Sequence, residues 1–296
     1  MDKNTLVNDI INDPLFDGYG QFIFPTGFNY PSSTMKISNI NSLLPYHSHI
    51  NTDTTIAVLE YFYQKAKNQE KIFYQIYTDE QIKQDPSKKE TGLFFFKGRK
   101  NGPTAIINAG GGFVYVGSIH ESFPHALTLS KQGYNAFALQ YRTYSAQTAC
   151  QDLAAAIVFI FEHQSELEVS MDCYSLWGGS AGARMAAYLG SYGTNAFKQP
   201  DYPRAGTIIM QYTGHNDYTP NDPPTYVCVG KKDGIAYWKT MEKRIEHLKA
   251  SGIETEFHCY PNLGHGFGLG INTTAEGWIN DAIAFWQKQI DQKDRK

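Results

Sequence analysis

From about residue 91 onward, the sequence alternates between short apolar runs and longer amphipathic segments. The apolar runs predict strands, and the segments with apolar residues three and four positions apart predict helices. This alternation is typical of βαβ units, in which helices cover both faces of a mainly parallel sheet. We expect strands at residues 92–96, 104–109, 135–141, 173–177, 205–212, 225–229 and 255–260, and helices at residues 118–132, 148–163, 181–190, 236–250 and 275–290.

The N-terminal part of the chain does not follow this alternation. Residues 1–50 are rich in Asn, Ser, Pro and aromatic side chains without a regular period, and a helix is expected only from about residue 52 to residue 68. No long helix separates the expected strand at residues 71–77 from the one at residues 92–96, which predicts an antiparallel start to the sheet. We therefore divide the chain into an N-terminal extension, residues 1–70, and an α/β domain, residues 71–296.

Charge, apolar runs and cysteine spacing exclude several classes of protein. The chain has 26 Lys and Arg against 29 Asp and Glu, a net charge of −3, and this lack of a basic surplus argues against a nucleic-acid partner. The sequence shows neither an apolar run long enough to cross a membrane nor the basic and apolar regions of a secretory signal, so we expect no membrane association and a cytoplasmic location. None of the four cysteines belongs to a C-x-x-C pair, and we expect no metal and no cofactor.

Residues 178–182 read Gly-Gly-Ser-Ala-Gly and contain the pattern G-x-S-x-G. The pattern alone is weak, but here it follows an expected strand and opens a helix rich in small residues, as a nucleophile elbow requires. Side chains two positions before and after the serine would collide in so tight a turn, which explains Gly178 and Gly182. We interpret Ser180 as a nucleophile; the alternative is a glycine-rich turn without chemistry.

A serine hydroxyl needs a base to accept its proton, and an acid must orient that base. His265 lies in a glycine-rich loop after the expected strand at residues 255–260, and it is our candidate for the base. Asp233, in the loop after residues 225–229, is our candidate for the acid, with Asp217 and Asp222 on the preceding loop as alternatives. The chain order Ser, Asp, His is the one expected for a strand–elbow–helix architecture.

Three consecutive glycines, residues 110–112, follow the expected strand at residues 104–109. Backbone N–H groups of such a loop can converge on a developing negative charge, so we expect an oxyanion hole formed by Gly111, Gly112 and Ala181, the residue after the nucleophile. The alternative is a phosphate-binding loop, but the Gly-Lys-Ser/Thr sequence that such a loop needs is absent.

The segment that follows the three glycines carries further polar residues. Residues 118–121 fit the capping pattern S-x-x-E, so we interpret Ser118 and Glu121 as residues that start a helix. His120 and His125 lie in the same segment and are candidates for lining the pocket. Their spacing of five residues points the two imidazoles to different sides of a helix, which argues against a zinc pair.

Taken together, these motifs resemble those of α/β-hydrolases, in particular bacterial esterases of the hormone-sensitive-lipase-like group and feruloyl- and acetyl-esterase-like hydrolases. The resemblance runs from about residue 91 to the C-terminus and rests on residues 110–113, 140–142, 178–182, 233 and 264–267. It implies an α/β-hydrolase fold and ester hydrolysis through an acyl-enzyme, without a cofactor. The chain departs from the family at Ala109, where a histidine usually precedes the glycines, and at residues 143–146, where Leu-Ala-Pro-Glu is usual.

We therefore expect a serine carboxylesterase that acts on short-chain or acetyl esters. Its substrate would be a small-molecule ester, and a homo-oligomer is compatible with the sequence. The alternatives are a serine peptidase or amidase on the same fold, and a non-catalytic binding protein.

The interval between Ser180 and Asp233 is too short for a large inserted lid. We therefore expect the N-terminal extension, from about residue 16 to residue 46, to form a cap-like wall of the site. Phe22, Phe24, Phe28 and Tyr30 are the candidate wall residues. The alternative is a strap along the back of the molecule.

Overall fold

The centre of the protein is a single eight-stranded sheet. The computed structural model describes residues 1–25, 27 and 29–295. The strands are β1 (Phe73–Tyr74), β2 (Gly92–Phe96), β3 (Gly102–Asn108), β4 (Asn135–Gln140), β5 (Val169–Gly179), β6 (Thr207–Gln211), β7 (Thr225–Gly230) and β8 (Thr255–Tyr260). Their spatial order is β1-β2-β4-β3-β5-β6-β7-β8. β2 pairs antiparallel with β1 and β4, and every other pair is parallel, which confirms the expected antiparallel start and parallel remainder.

Helices lie on both faces of this sheet, as the alternating pattern predicts. They are α1 (Val7–Ile11), α2 (Thr52–Lys67), α3 (Asp79–Gln84), α4 (Ser118–Glu121), α5 (Phe123–Lys131), α6 (Ala146–Leu167), α7 (Ala181–Tyr192), α8 (Trp238–Ala250) and α9 (Trp278–Asp294). α2, α5 and α9 cover one face, whereas α6, α7 and α8 cover the other. The central strands are consequently buried on both faces and consist of near-continuous apolar runs.

The parallel strands bring four loops to one edge of the sheet. β3 leads into the three glycines, β5 ends directly before Ser180, and β7 and β8 lead into the loops of Asp233 and His265. The register pairs Asn108 of β3 with Gly178 of β5, so the first two loops start side by side. Because the carboxyl ends of parallel strands lie at the same edge of a sheet, the topology places the glycine loop, Ser180, Asp233 and His265 close together.

Two predicted elements differ from the structure for local reasons. The helix expected at residues 118–132 is divided into α4 and α5 at Ser122, because Pro124 occupies the first turn of α5 and cannot continue the hydrogen bonding of α4. The strand expected at residues 71–77 is reduced to β1, because the side chain of Gln75 accepts the N–H groups of Ile76 and Tyr77 and turns the chain out of the sheet.

The described residues of the N-terminal extension form α1, α2 and three 3-10 turns, and the extension packs against the sheet. Phe16 contacts Tyr63 of α2, with the ring centroids 4.7 Å apart, and Tyr19 stacks on Phe73 of β1 at 5.7 Å. These aromatic groups belong to the same apolar core as the strands. In the part of the chain that the structure describes, no helix combines the length and the apolar character that a bilayer-crossing segment needs.

Candidate active site

Ser180 occupies a strained turn between β5 and α7. Its φ and ψ angles are 51° and −113°, a conformation that non-glycine residues rarely adopt and that is held by the surrounding structure. A Cβ atom added at Gly178 would collide with the backbone of Gly182, and one added at Gly182 would collide with the carbonyl group of Asn108. The glycines of the G-x-S-x-G pattern are therefore required by close approach of backbone to backbone.

Ser180, His265 and Asp233 form a chain of hydrogen bonds. His265 Nε2 lies 3.0 Å from Ser180 Oγ, and His265 Nδ1 lies 2.7 Å from Asp233 Oδ2. The other oxygen of Asp233 accepts the N–H groups of Ile235 and Ala236, at 2.8 and 2.7 Å, which fixes the orientation of the carboxylate. Both distances along the chain are within the reach that proton transfer from a serine to a histidine requires.

The two alternative acids are engaged elsewhere. Asp222 forms a buried ion pair with Arg244, with 2.5 Å between Oδ2 and Nη2. Asp217 accepts a hydrogen bond from the hydroxyl group of Tyr192 at 2.6 Å. Of the three aspartates considered, only Asp233 is bonded to His265.

His120 and His125, the candidate pocket residues, are buried among the helices beneath the site. His120 Nε2 lies 3.0 Å from the carbonyl oxygen of Gly266, and His125 Nε2 lies 3.0 Å from the side-chain oxygen of Gln211. Burial, together with the charge of His47, lowers the pKa of His120 to about 3, and burial lowers the pKa of His125 to about 4. Both imidazoles are therefore neutral at pH 7 and serve the packing of the site. Within the described residues, no cluster of His, Cys, Asp or Glu is arranged to hold a metal ion.

The three-glycine loop lies directly beside Ser180. Gly111 and Gly112 have φ angles of 132° and 64°, and a Cβ atom added at Gly110 would lie 2.9 Å from Ser180 Cβ. Among the described residues, the N–H groups of Gly111, Gly112 and Ala181 have no acceptor. The N–H groups of all three expected donors are thus available to an acceptor, whereas the N–H of Gly110 is already engaged.

The interpretation of Ser118 and Glu121 as a capping pair is wrong. α4 begins at Ser118 itself, Gly117 precedes it, and no side chain caps the helix. The carboxylate of Glu121 instead accepts the N–H of Gly110 at 2.5 Å and the hydroxyl group of Tyr212 at 2.8 Å. Its presence on a buried helix directly after the glycine loop was the one signal in the sequence for this role.

The charge of Glu121 has a partner in the N-terminal extension. The Nε2 atom of His47 lies 3.0 Å from Glu121 Oε1, and both side chains are buried. Burial alone would raise the pKa of Glu121, but the charge of His47 and the hydrogen bonds from His47 and Gly110 outweigh it and hold the pKa well below its usual range. Glu121 is therefore an ionised, buried carboxylate at neutral pH.

Residues 46–48 of the N-terminal extension contact both loops of the site, which sequence analysis missed. The hydroxyl group of Tyr115 accepts the N–H of Tyr46 at 3.0 Å and lies 2.9 Å from His47 Nδ1. Ser48 donates from its hydroxyl group to the carbonyl oxygen of His265, and its N–H donates to Gly266. These residues carry no periodicity or motif, so nothing in the sequence indicated the contacts.

The three candidate wall residues that the structure describes border one cavity. Phe22, Phe24 and Tyr30 line a cavity of about 280 Å³ that Tyr141 also borders, beside the three-glycine loop. Phe22 in addition packs against Phe73 of the edge strand, with the ring centroids 5.6 Å apart. Phe28 lies outside the described residues. One part of the extension thus covers the β1–β2 edge, and another part lies close to the site.

Comparison with known proteins gives a partial family match and many similar structures. A family model described as BD-FAE matches residues 94–208. Among curated protein sequences, none is significantly similar to this chain. The acetyl ester-xyloside bifunctional hydrolase from Caldicellulosiruptor lactoaceticus has a similar structure, with a TM-score of 0.63 and 20% sequence identity, over 73% of this chain and 95% of that chain.

Two further structures show the same likeness. The esterase Est2 of Thermogutta terrifontis, with propionate bound, has a TM-score of 0.59 and 18% identity, over 68% of this chain and 89% of its own. MGS-M1, an α/β hydrolase enzyme from a Medee basin deep-sea metagenome library, has a TM-score of 0.58 and 21% identity, over 68% of this chain and 93% of its own. At such low identity, the likeness establishes a common fold.

Proposed function

Because this chain has the α/β-hydrolase fold, we propose that it is a serine carboxylesterase that hydrolyses short-chain or acetyl esters through an acyl-enzyme intermediate. The observation that carries the proposal is the hydrogen-bonded chain from Ser180 through His265 to Asp233, beside three free N–H donors. Nucleophile, base and oxyanion stabiliser are the three parts that acyl transfer needs.

Acylation follows from these positions. His265 Nε2 accepts the proton of Ser180 as Oγ attacks the ester carbonyl carbon, while Asp233 holds the Nδ1–H and stabilises the imidazolium. The N–H groups of Gly111, Gly112 and Ala181 bind the negative charge that develops on the carbonyl oxygen. Collapse of the tetrahedral intermediate breaks the bond to the alkoxide, which leaves as an alcohol with the proton from His265.

Deacylation uses the same groups with water as the nucleophile. His265 accepts a proton from the water, whose oxygen attacks the acyl carbon, and the proton then passes to Ser180 Oγ as the acyl–oxygen bond breaks. The products are a carboxylic acid and the free enzyme. Each proton is accounted for by Ser180, His265 and water.

Two observations support a small acyl group and an ester substrate. The interval between Ser180 and Asp233 holds no inserted domain over the site. The similar structures include one with propionate bound and one described as an acetyl ester-xyloside bifunctional hydrolase. We propose on this basis that the partner is a small-molecule ester.

A series of p-nitrophenyl esters tests the proposal. We expect turnover of the acetate and butyrate esters, a lower kcat/KM for the octanoate ester, and little hydrolysis of p-nitroanilides. Ser180→Ala should lower kcat by about 10³-fold or more, because the nucleophile is lost while the oxyanion donors remain. A fluorophosphonate should label Ser180 in the native protein. Undiminished turnover by the alanine variant, or a preference for anilides, would contradict the proposal.

A further inference from the structure

Glu121 is a buried carboxylate that the reaction steps above do not use. An ionised carboxylate costs much free energy to bury unless charged and hydrogen-bonding partners compensate it. The partners of Glu121 come from three separate segments: the N–H of Gly110, the hydroxyl group of Tyr212 and the imidazole of His47. A single side chain therefore ties three segments together beneath the elbow.

The first segment is the glycine loop. The bond from the N–H of Gly110 to Glu121 fixes the peptide group between Ala109 and Gly110, one residue before Gly111, a proposed oxyanion donor. A Cβ atom added at Gly179, the residue before Ser180, would lie 2.5 Å from the same carboxylate oxygen. The carboxylate thus packs between the loop that supplies the donors and the turn that supplies the nucleophile.

The second segment is the loop of the proposed base. Tyr212 donates its hydroxyl proton to Glu121 and accepts the N–H of Gly268 at 3.1 Å. The ring of Tyr212 also contacts the imidazole of His265, with the centroids 4.9 Å apart. Glu121 therefore reaches the His265 loop through one intervening side chain.

The third segment is the N-terminal extension, which supplies His47. A carboxylate so close to the oxyanion donors would oppose the negative charge that develops on the substrate oxygen, because buried charges are weakly screened. The imidazole of His47 faces this carboxylate and offsets its charge: Nε2 lies 3.0 Å from Glu121 Oε1, and Nδ1 lies 2.9 Å from the hydroxyl group of Tyr115. The chain has Ala109 at the position before the glycines, so no histidine is available there.

We propose that Glu121 is a positioning residue for the oxyanion hole and that His47 of the N-terminal extension offsets its negative charge. This inference rests on the proposed esterase function. Neither side chain reaches the substrate in this role: Glu121 acts through the glycine loop and through Tyr212, and His47 acts through Glu121.

The first experiment compares Glu121→Gln with the native protein on p-nitrophenyl acetate. The glutamine keeps the size of the side chain, but an NH₂ group, which cannot accept a hydrogen bond, replaces one of the two carboxylate oxygens. We expect kcat to fall by about 10- to 100-fold, less than or comparable to the loss of a whole oxyanion donor, with KM within about two-fold. Inhibition by a trifluoromethyl ketone, which forms an oxyanion on Ser180, should weaken by the same factor.

Asp222→Asn is the matched control. It also neutralises a buried carboxylate in an ion pair, with Arg244, but it lies away from the glycine loop. We expect it to lower Tm and to leave kcat within about two-fold of the native value. If Glu121→Gln does not fold, Tyr212→Phe removes only the hydroxyl link, and we expect kcat to fall by about 3- to 10-fold.

A double-mutant cycle tests the part assigned to His47. We expect His47→Gln to lower kcat, and the double variant His47→Gln, Glu121→Gln to lose less than the product of the two single losses, because both act through one ion pair. Independent losses that multiply would overturn the role of His47. A native kcat in folded Glu121→Gln, or in Tyr212→Phe when it is used, would overturn the positioning role. A native protein that neither hydrolyses esters nor reacts with a fluorophosphonate would overturn the proposed function instead.

Discussion

The hydroxyl group of Ser48 donates a hydrogen bond of 2.6 Å to the main-chain oxygen of His265. The bond joins the N-terminal extension to the backbone of the residue proposed as the base. The N–H of Ser48 also donates to Gly266, so one residue makes two bonds to the same loop. The extension therefore takes part in the geometry of the site, although it contributes none of the three proposed catalytic groups.

Removal of the Ser48 hydroxyl should affect turnover more than stability. In Ser48→Ala the carbonyl group of His265 loses a partner and the loop gains freedom, so we expect kcat to fall by about 3- to 10-fold, the value of one hydrogen bond of roughly 1 kcal/mol. Ser42→Ala is the control, because Ser42 lies in the same extension and its hydroxyl group donates to the carbonyl oxygen of Asn39, away from the His265 loop. Equal kcat values for the two variants would show that the bond does not position the base.

Replacement of Asp233, the proposed acid, should lower kcat far more than replacement of Asp217, one of the alternative acids. Asp233→Asn leaves the space filled but removes the acceptor that fixes the tautomer of His265, so we expect kcat to fall by about 10³- to 10⁴-fold. Asp217→Asn, which removes the carboxylate that accepts from Tyr192 and does not contact His265, should retain native kcat. Steady-state kinetics on p-nitrophenyl acetate distinguishes the two, and a large loss in Asp217→Asn would mean that the acid has been misassigned.

Gly179 should tolerate substitution less well than an exposed glycine. A Cβ atom there would press on the carboxylate of Glu121, whereas a Cβ atom at Gly214 would meet nothing within 4 Å. We expect Gly179→Ala to destabilise the fold by about 1–3 kcal/mol, as overpacking does, and to lower kcat, with Gly214→Ala close to native in both. Urea unfolding and kinetics would measure this, and a native-like Gly179→Ala would contradict the packing described.

Buried histidines should make the fold sensitive to mild acid. The pKa of His125 and of His215 is lowered to about 4, mainly by burial, and that of His120 to about 3. The unfolded chain, in which these groups titrate near pH 6.5, binds their protons first, so stability is full above that pH and is lost as the pH falls. Each histidine contributes up to about 1.4 kcal/mol per pH unit between pH 6.5 and its folded pKa.

Urea unfolding between pH 7 and pH 4.5 would test this dependence. We expect His125→Gln to show a shallower loss of stability with falling pH than the native protein, because one group no longer gains a proton on unfolding. The glutamine can still bond to Gln211, the partner of His125. Identical slopes for the two proteins would contradict the prediction.

The cavity beside the glycine loop offers a test of the wall hypothesis. Phe24→Ala enlarges a cavity of about 280 Å³, so we expect the ratio of kcat/KM between octanoate and acetate esters to rise. Phe16→Ala is the control, since Phe16 packs against Tyr63 on α2 and should change stability alone. An unchanged ratio in Phe24→Ala would favour the strap alternative for the N-terminal extension.

Local patterns predicted the fold where short runs of β-forming residues are bounded by turns. The strands at residues 92–96 and 255–260 have the predicted bounds, because both are such runs. The loops of Ser180, Asp233 and His265 follow β5, β7 and β8, which are parallel to one another, and that topology alone places the three loops at one edge. The positions of these residues could therefore be inferred without any contact being known.

Contacts between distant segments could not be inferred in this way. In the sequence, Glu121 fits a capping pattern. Only the three-dimensional structure shows that its carboxylate accepts from Gly110 and Tyr212 and not from a backbone N–H of its own helix. His47 lies in a segment without periodicity, whose conformation is set by what it packs against. Sequence patterns report local burial, whereas these roles depend on tertiary contacts between segments far apart in the chain.

The attachment of residues 46–48 to the His265 loop has a consequence for the order in which the molecule is built. The two ends of the bond between Ser48 and His265 are 217 residues apart, so the partner of Ser48 does not exist until most of the chain has been synthesised. The contact closes a loop of this length late in folding, and it costs more conformational entropy than a helix or a hairpin formed by residues close in the chain. A growing chain can therefore form its first strands and helices well before it has a working centre, and competence for catalysis arrives only with the last strand and the loop that follows it.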